Sequence, residues 1–353
     1  MNNLIIKLKG GTGNQLFQAA FAYSLAKKYK KNCKYSDHNI SNDKYNRKLE
    51  ISPLLKKLSV NKFKSQSNLR TLYLDQYDID HPIYFTENSP LALLNNDIFL
   101  QGYFTNYRLH DKKVYEEIKT FIKNLDISKN FVEIDYIAIH LRELHGSGKN
   151  KISTHIDNLD FDYYSKCLNK IIRKSNPNKI KNAVVFCDTW KKPEQSLLLP
   201  KIKTLLHQNG IKYINGDSQI SSSLDLLSIF SHAQYCVISN STLSWWGAYL
   251  SNSIVFSPIM NLWEPNLKIP DHWEQIYSNE IMPKTHHKNI KFKPTISFKK
   301  SSDYKIYNYK RLILINITRF IFTKINSLTL LNNFKRCLNS IGILPENPYK
   351  TFI

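Results

Sequence analysis

From residue 134 onward, the sequence alternates between apolar runs of strand length and segments of helix length. Strands that alternate with helices form a parallel sheet covered by helices on both faces. This half of the chain is therefore predicted to be α/β, with ligands bound beyond the carboxyl ends of the strands. The predicted strands are 136–141, 183–187, 211–214, 235–239 and 253–257, and the predicted helices are 161–174, 194–209, 222–233 and 243–251.

The N-terminal part of the chain begins with a second pattern of the same kind. Residues 4–8 predict a short strand, Gly10 to Gly13 a tight turn, and residues 15–31 a helix. The stretch from 34 to 89 is polar and gives no readable pattern. Beyond it we expect a strand at 97–104 and a helix at 111–125.

A chain of 353 residues is long enough for two domains. We expect an N-terminal domain over 1–133, a second domain over 134–283 and a C-terminal extension over 284–353. The formal net charge is +22. The extension holds fourteen Lys or Arg against two acids, a net of +12, which leaves +10 for the other 283 residues.

Within this extension, residues 311–336 mix Leu, Ile and Phe with cations over helical length, as a helix lying in a membrane interface would. An ordinary core helix with a basic solvated face is the alternative. No apolar run approaches the length of about 18 residues that a membrane span needs. Five scattered cysteines indicate a reduced chain without structural metal. We expect a cytoplasmic protein that at most binds the inner face of the cytoplasmic membrane.

Polar residues follow several of the predicted strands. His140 and Arg142 point to the same side because side chains alternate along a strand. An arginine at this edge can bind a phosphate and neutralise a leaving charge. The alternative is a surface arginine that pairs with Glu143 or Asp157.

Residues 240–248, with the sequence NSTLSWWGA, follow the strand predicted at 235–239. Their hydroxyls can cap a helix and coordinate a phosphate, or act only as a structural cap. Of the two adjacent tryptophans, we expect one to pack inside and the other to face a ring or the cleft. Asp188 and Asp225 are candidates for a base amine or a ribose hydroxyl, and equally for helix caps or turns.

The glycine turn after the first strand does not match the dinucleotide-binding fingerprint, because position 16 is leucine rather than the third glycine. A nicotinamide enzyme is therefore disfavoured. The turn still allows close backbone approach, and the following helix offers free N–H groups to an anion. A turn without a ligand is the alternative.

Four segments together resemble glycosyltransferase family 11, the inverting α-1,2-fucosyltransferases of bacterial surface-polysaccharide synthesis. The resemblance extends from the N-terminus to about residue 265. It implies a GT-B fold with two Rossmann-like domains facing a cleft, no metal or other cofactor, and GDP-β-L-fucose held mainly by the C-terminal domain. The segments are GGTGNQLFQ at 10–18, HLR at 140–142, FCD at 186–188 and SNSTLSWWGA at 239–248.

The resemblance also implies roles for individual residues. Arg142 would bind the donor pyrophosphate, and His140 and Asp225 would lie at the guanosine. Asn14 and its glycine turn would approach the phosphate and sugar from the other domain. The predicted donor-binding set is Gly11, Gly13, Asn14, His140, Arg142, Asp225, Asn240, Ser241, Thr242 and Ser244, and the candidates on the acceptor side of the cleft are Gln15, Asp188 and Trp246.

One motif departs from the family pattern. The family reads H-x-R-R-G-D, whereas here Glu143, Leu144 and His145 follow Arg142. We hypothesise that His145 replaces the usual aspartate beside the acceptor hydroxyl as a base or orienting group, since a neutral imidazole suits that role near pH 7. An exposed loop histidine is the alternative.

The resemblance implies a galactoside α-1,2-fucosyltransferase that moves L-fucose from GDP-fucose to O2 of galactose on a lipid-linked oligosaccharide such as O-antigen, whereas the spacing of the residues supports only an anion-binding cleft in an α/β protein. The basic extension would add an anionic membrane surface as a partner. A related transferase with another sugar or acceptor is the alternative. A nucleic-acid-binding protein would fit the charge and the 12% aromatic content, but the charge is concentrated in the extension rather than on the body.

Overall fold

The computed structural model describes eleven ranges of the chain. Residues 3–101 and 297–306 provide the strands of one sheet, and residues 136–276 provide the strands of a second sheet. The described ranges are 3–41, 47–63, 71–75, 97–126, 135–143, 159–174, 180–189, 196–258, 267–276, 297–300 and 303–306.

The first sheet is built around the buried strand β1, which pairs in parallel with β2 on one side and β5 on the other. Its order is β13-β12-β4-β5-β1-β2-β3, in which β12 is Ser297–Lys300 and β13 is Asp303–Ile306. The strands are β1 Asn3–Lys7, β2 Asn32–Ser36, β3 Asn61–Lys62, β4 Thr71–Asp75 and β5 Asp97–Gln101, and the helices of this unit are α1 Thr12–Lys28, α2 His38–Ser41, α3 Ser52–Lys57 and α4 Lys112–Lys123.

The second sheet is parallel throughout, with the order β11-β10-β9-β6-β7-β8. Alternate residues of the strand Tyr136–Glu143 belong to two separate hydrophobic clusters, one on each face of the sheet. Because both faces are buried, the sequence of this strand is almost uninterruptedly apolar. The strands are β6 Tyr136–Glu143, β7 Asn182–Thr189, β8 Lys212–Asn215, β9 Tyr235–Val237, β10 Ile254–Pro258 and β11 Glu274–Ile276, and the helices are α5 Phe161–Lys174, α6 Leu199–Gln208, α7 Ser223–His232 and α8 Thr242–Tyr249.

The C-terminal extension contributes to the first sheet rather than to the second. Strands β12 Ser297–Lys300 and β13 Asp303–Ile306 form an antiparallel pair, and β12 lies antiparallel to β4. The helix predicted at 311–336 lies outside the described residues. Within the described residues, no helix is long and apolar enough to span a membrane.

Candidate active site at the junction of the two units

The glycine turn brings the first turn of α1 into direct contact with the first turn of α8. Gly10 has φ of +80°, a conformation that favours glycine. A Cβ atom on Gly13 would lie 2.4 Å from the backbone nitrogen of Leu243 and 2.5 Å from the carbonyl carbon of Thr242. Only a glycine permits this approach, so the two helix N-termini meet where the two units join.

A hydrogen bond between predicted donor-binding residues crosses this contact. The hydroxyl of Thr242 donates to the side-chain oxygen of Asn14 at 2.9 Å. Ser241 caps α8 by accepting from the backbone N–H of Leu243 at 3.2 Å. Residues that are 228 positions apart in the sequence are thus brought together.

The carboxyl end of β6 lies beside the segment that precedes α8. The ring of His140 is 1% exposed, and its Nδ1 lies 2.6 Å from the hydroxyl oxygen of Ser239. The partly buried Arg142 donates from Nη1 to the carbonyl oxygen of Asn240 at 3.0 Å. The guanidinium is therefore held next to the N-terminus of α8, where the helix dipole also favours an anion.

The neighbouring Glu143 points to the opposite face of the sheet. It is 4% exposed, and its Oε1 accepts from the backbone N–H groups of Leu197 and Leu198 at 3.0 and 3.2 Å. Glu143 thereby ties the end of β6 to the segment that leads into α6. His145 lies outside the described residues.

Two other predicted residues make hydrogen bonds within the protein. Ser244 is fully buried, and its hydroxyl donates to the carbonyl oxygens of Ser239 and Ser241. Asp225 forms a capping box with Ser222 at the start of α7, the alternative role considered for it.

Gln15 is fully buried, and its amide donates to the carbonyl oxygens of Gly10 and Lys48 at 3.0 and 2.9 Å. It thus holds the glycine turn in place. Asp188 pairs in register with Arg142 across β6 and β7, and nothing further is described of its side chain.

Of the two alternatives for the second tryptophan, a ring or the cleft, Trp246 faces rings, and its candidate place on the acceptor side of the cleft is wrong. Both Trp245 and Trp246 have 0% exposure. The ring of Trp246 packs against Phe17 of α1 and Tyr115 of α4, with centroid distances of 5.0 and 5.1 Å. The second tryptophan is buried because the helices of the first unit cover it, which the local sequence does not reveal.

A buried histidine completes this aromatic contact. His110 Nε2 lies 2.9 Å from the carbonyl oxygen of Phe104, and its Nδ1 lies 2.8 Å from the hydroxyl of Tyr115. Because a carbonyl can only accept, Nε2 carries the proton and Nδ1 accepts from the tyrosine. Burial lowers the pKa of His110 to about 3, so the ring is neutral and serves packing.

A functional candidate that the motifs missed lies between the two units. The Oε2 atom of Glu50 accepts from the hydroxyl of Thr12 at 2.8 Å and from the backbone N–H of Ser223 at 3.1 Å. It therefore joins the N-terminus of α1 to that of α7. No sequence signal identified Glu50, because it lies in the polar stretch from 34 to 89 that gives no pattern.

The described residues provide few sites for other kinds of chemistry. They include no group of three or more His, Cys, Asp or Glu that could hold a metal ion. Cys33, Cys167, Cys187 and Cys236 are free thiols. Burial raises the pKa of Cys33, Cys167 and Cys236 to about 12, which keeps these thiols protonated and poorly nucleophilic.

Two α/β units that meet through the N-termini of their helices constitute the GT-B architecture that the sequence predicted, and the protein is of the glycosyltransferase class. The chain belongs to glycosyl transferase family 11, whose family model matches residues 48–280. It is similar to the O-antigen biosynthesis glycosyltransferase WbnK of Escherichia coli, with 26% identity over 290 residues, covering 71% of this chain and 92% of the relative.

Two solved structures are similar at lower levels. NodZ, an α-1,6-fucosyltransferase co-crystallised with GDP, has a TM-score of 0.43 and 11% identity, covering 71% of this chain and 93% of its own. The E. coli ADP-heptose LPS heptosyltransferase II has a TM-score of 0.41 and 12% identity, covering 81% of this chain and 95% of its own.

Proposed function

We propose that the enzyme transfers L-fucose, with inversion, from GDP-β-L-fucose to O2 of a galactose on a lipid-linked surface oligosaccharide such as an O-antigen unit. One observation carries the donor part of this proposal. Arg142 ends a buried parallel strand and is held against Asn240, immediately before the N-terminus of α8. A guanidinium and a helix N-terminus at one point favour a diphosphate.

In this proposal, Arg142 stabilises the negative charge that grows on GDP as the sugar–oxygen bond breaks. A fixed cation and oriented N–H groups need no rearrangement at that moment, which is the source of their catalytic effect. The contact between His140 and Ser239 joins β6 to the segment before α8. The hydrogen bond between Asn14 and Thr242 joins α1 of the first unit to α8. We expect no metal to be required, since these groups neutralise the leaving charge.

The acceptor part of the proposal is supported by family membership and by the name of the similar E. coli protein, which places that protein in O-antigen biosynthesis. A second candidate is a transferase of the same family with another sugar or acceptor. The carboxylate of Glu143 favours this second candidate, because it takes the place of a family arginine and is bonded to the segment before α6.

The Arg142→Ala substitution tests the donor assignment. We expect turnover, measured as GDP released from GDP-fucose in the presence of a galactose-terminated oligosaccharide, to fall by at least about 100-fold, because one charge-stabilising group is lost. Arg108→Ala is the control, since Arg108 is exposed and pairs with Asp271. An Arg142→Ala enzyme with the wild-type rate would refute the assignment. A panel of nucleotide sugars and acceptors, with product linkages determined, separates the two candidates.

We further propose that the enzyme is cytoplasmic and binds the inner face of the cytoplasmic membrane through the +12 extension. Each cation near an anionic surface contributes about 1 kcal/mol, screened by salt. Changing Lys324, Lys335 and Arg336 to glutamine should reduce flotation with anionic vesicles. Truncation is a poor test, because strands β12 and β13 belong to the first sheet. Equal flotation of variant and wild type would exclude these cations as the anchor.

A further inference from the structure

Glu50 is a carboxylate of the first unit that bonds to residues of both units at the junction. It is partly buried, and it contacts Thr12 within the glycine turn and Ser223 at the start of α7. Asn14, two residues after Thr12, bonds to Thr242 at the start of α8. Glu50 therefore lies where three helix N-termini converge, two of them from the second unit.

The two bonds to Glu50 orient its carboxylate. Both the Thr12 hydroxyl and the Ser223 N–H donate to Oε2, and Oε1 takes part in neither bond. A base must be held in a defined orientation while keeping one oxygen available for a proton. Glu50 meets both conditions.

Three other carboxylates among the described residues of the first unit are engaged elsewhere. Asp37 forms an ion pair with Lys62, and Asp111 caps α4. Asp97 begins β5, where it accepts from the backbone and the side chain of Asn3. Asp97 thus lies at the amino ends of the strands, the edge opposite the glycine turn.

We propose that Glu50 is the general base of the reaction, an inference that rests on the proposed fucosyl transfer. Inversion requires the acceptor to attack from the side opposite the leaving diphosphate, which Arg142 of the second unit would hold. The acceptor oxygen bonds to the anomeric carbon, and the bond from that carbon to the GDP oxygen breaks with its electron pair on GDP. The proton of the acceptor hydroxyl passes to Oε1 of Glu50. This assignment replaces His145 in that role.

The Glu50→Gln substitution separates proton transfer from positioning. The amide oxygen of glutamine can still accept from Thr12 and Ser223, but it cannot take the proton. We expect kcat to fall by about 10² to 10⁴-fold, the usual contribution of a general base. The affinity for GDP should stay within a few-fold of the wild-type value. The urea midpoint should equal that of wild type within error.

Two further variants complete the experiment. Glu50→Ala should regain part of its turnover in added formate, because a small carboxylate can occupy the vacated space and take the proton. Glu116→Gln is the matched control, since Glu116 is an exposed glutamate of α4. It should retain the wild-type kcat.

Several results would overturn the assignment. A Glu50→Gln enzyme with near-wild-type kcat beside an impaired Glu50→Ala enzyme would make Glu50 a positioning residue only. Loss of GDP affinity in Glu50→Gln would do the same. A large loss in His145→Ala with an active Glu50→Gln would return the role to His145. If the wild type releases no GDP from GDP-fucose, the proposed donor fails instead, and the same variants are measured with the nucleotide sugar that the wild type does use.

Discussion

Helices α1 and α8 contact each other in two regions of opposite character. Their first turns meet through polar groups, with Gly13 against the backbone of Thr242 and Asn14 bonded to its hydroxyl. One turn further along, Phe17 packs against Trp245 and Trp246, with centroid distances of 4.8 and 5.0 Å. The aromatic contact buries rings of both units, whereas the first turns place hydroxyl and amide groups at the junction. The same pair of helices thus has an apolar contact and, one turn earlier, a polar contact near the proposed site.

The largest effect is expected from removing the aromatic region alone. Trp246→Ala should lower the free energy of unfolding by about 3–5 kcal/mol, because a fully buried ring is replaced by a cavity. Urea denaturation measures this loss, and Trp246→Phe, which keeps a ring, should recover part of it. If Trp246→Ala is as stable as wild type, the aromatic contact is not what holds the units together.

A smaller effect is expected where the polar first turns meet. Gly13→Ala places a methyl group against the backbone of Thr242 and Leu243, which cannot give way as a flexible side chain could. We expect a loss of about 1–3 kcal/mol, typical of overpacking. Gly11→Ala is the matched control for stability, because a Cβ there meets nothing within 4 Å and its φ is −74°. Equal urea midpoints for the two variants would show that the close approach is dispensable.

The smallest effect is expected on the pH dependence of stability, through the buried His110 of the aromatic region. The folded-state pKa of His110 is about 3, below its ordinary value of 6.5, so only the unfolded chain takes up a proton between these values. The stabilisation is complete above pH 6.5 and is lost as the pH falls toward 3. Between pH 7 and 5.5, wild type should lose about 1 kcal/mol more than His110→Gln, measured by urea unfolding. An identical pH dependence would mean that His110 has the same pKa in the folded protein as in the unfolded chain.

Much of the second unit could be predicted from the sequence because buried parallel strands are continuous apolar runs. The helix predicted at 161–174 has those bounds, and the strand predicted at 136–141 continues to Glu143. The helix predicted at 194–209 begins at Leu199, where Pro200 occupies the first turn. Helix α1 begins at Thr12 rather than at 15, because Gly13 of the predicted turn is already helical, whereas Gly10 and Gly11 precede the helix. Between 34 and 89 the described strands have two to five residues, too short for a periodic signal.

The candidate site was predictable only in part. His140, Arg142 and the residues from 239 to 242 follow strands of a parallel sheet, so their proximity follows from topology. Glu50 was missed because its importance lies in contacts with Thr12 and Ser223, which are 38 and 173 residues away in sequence. Trp246 was misplaced for the same reason, since Phe17 and Tyr115 come from the first unit.

The sequence by itself determined the α/β class, the residues at the strand ends and the family, because these depend on local periodicity and on contiguous motifs. The tertiary structure decided which side chains lie in the contact between the two units. It showed that Gly13 serves a helix contact, that both tryptophans are buried, and that Glu50 reaches the junction. The physical reason is that burial and hydrogen bonding between the units depend on how two sheets are placed against each other. Hydrophobic periodicity and composition describe one helix or strand at a time, so they do not predict how the two sheets are placed.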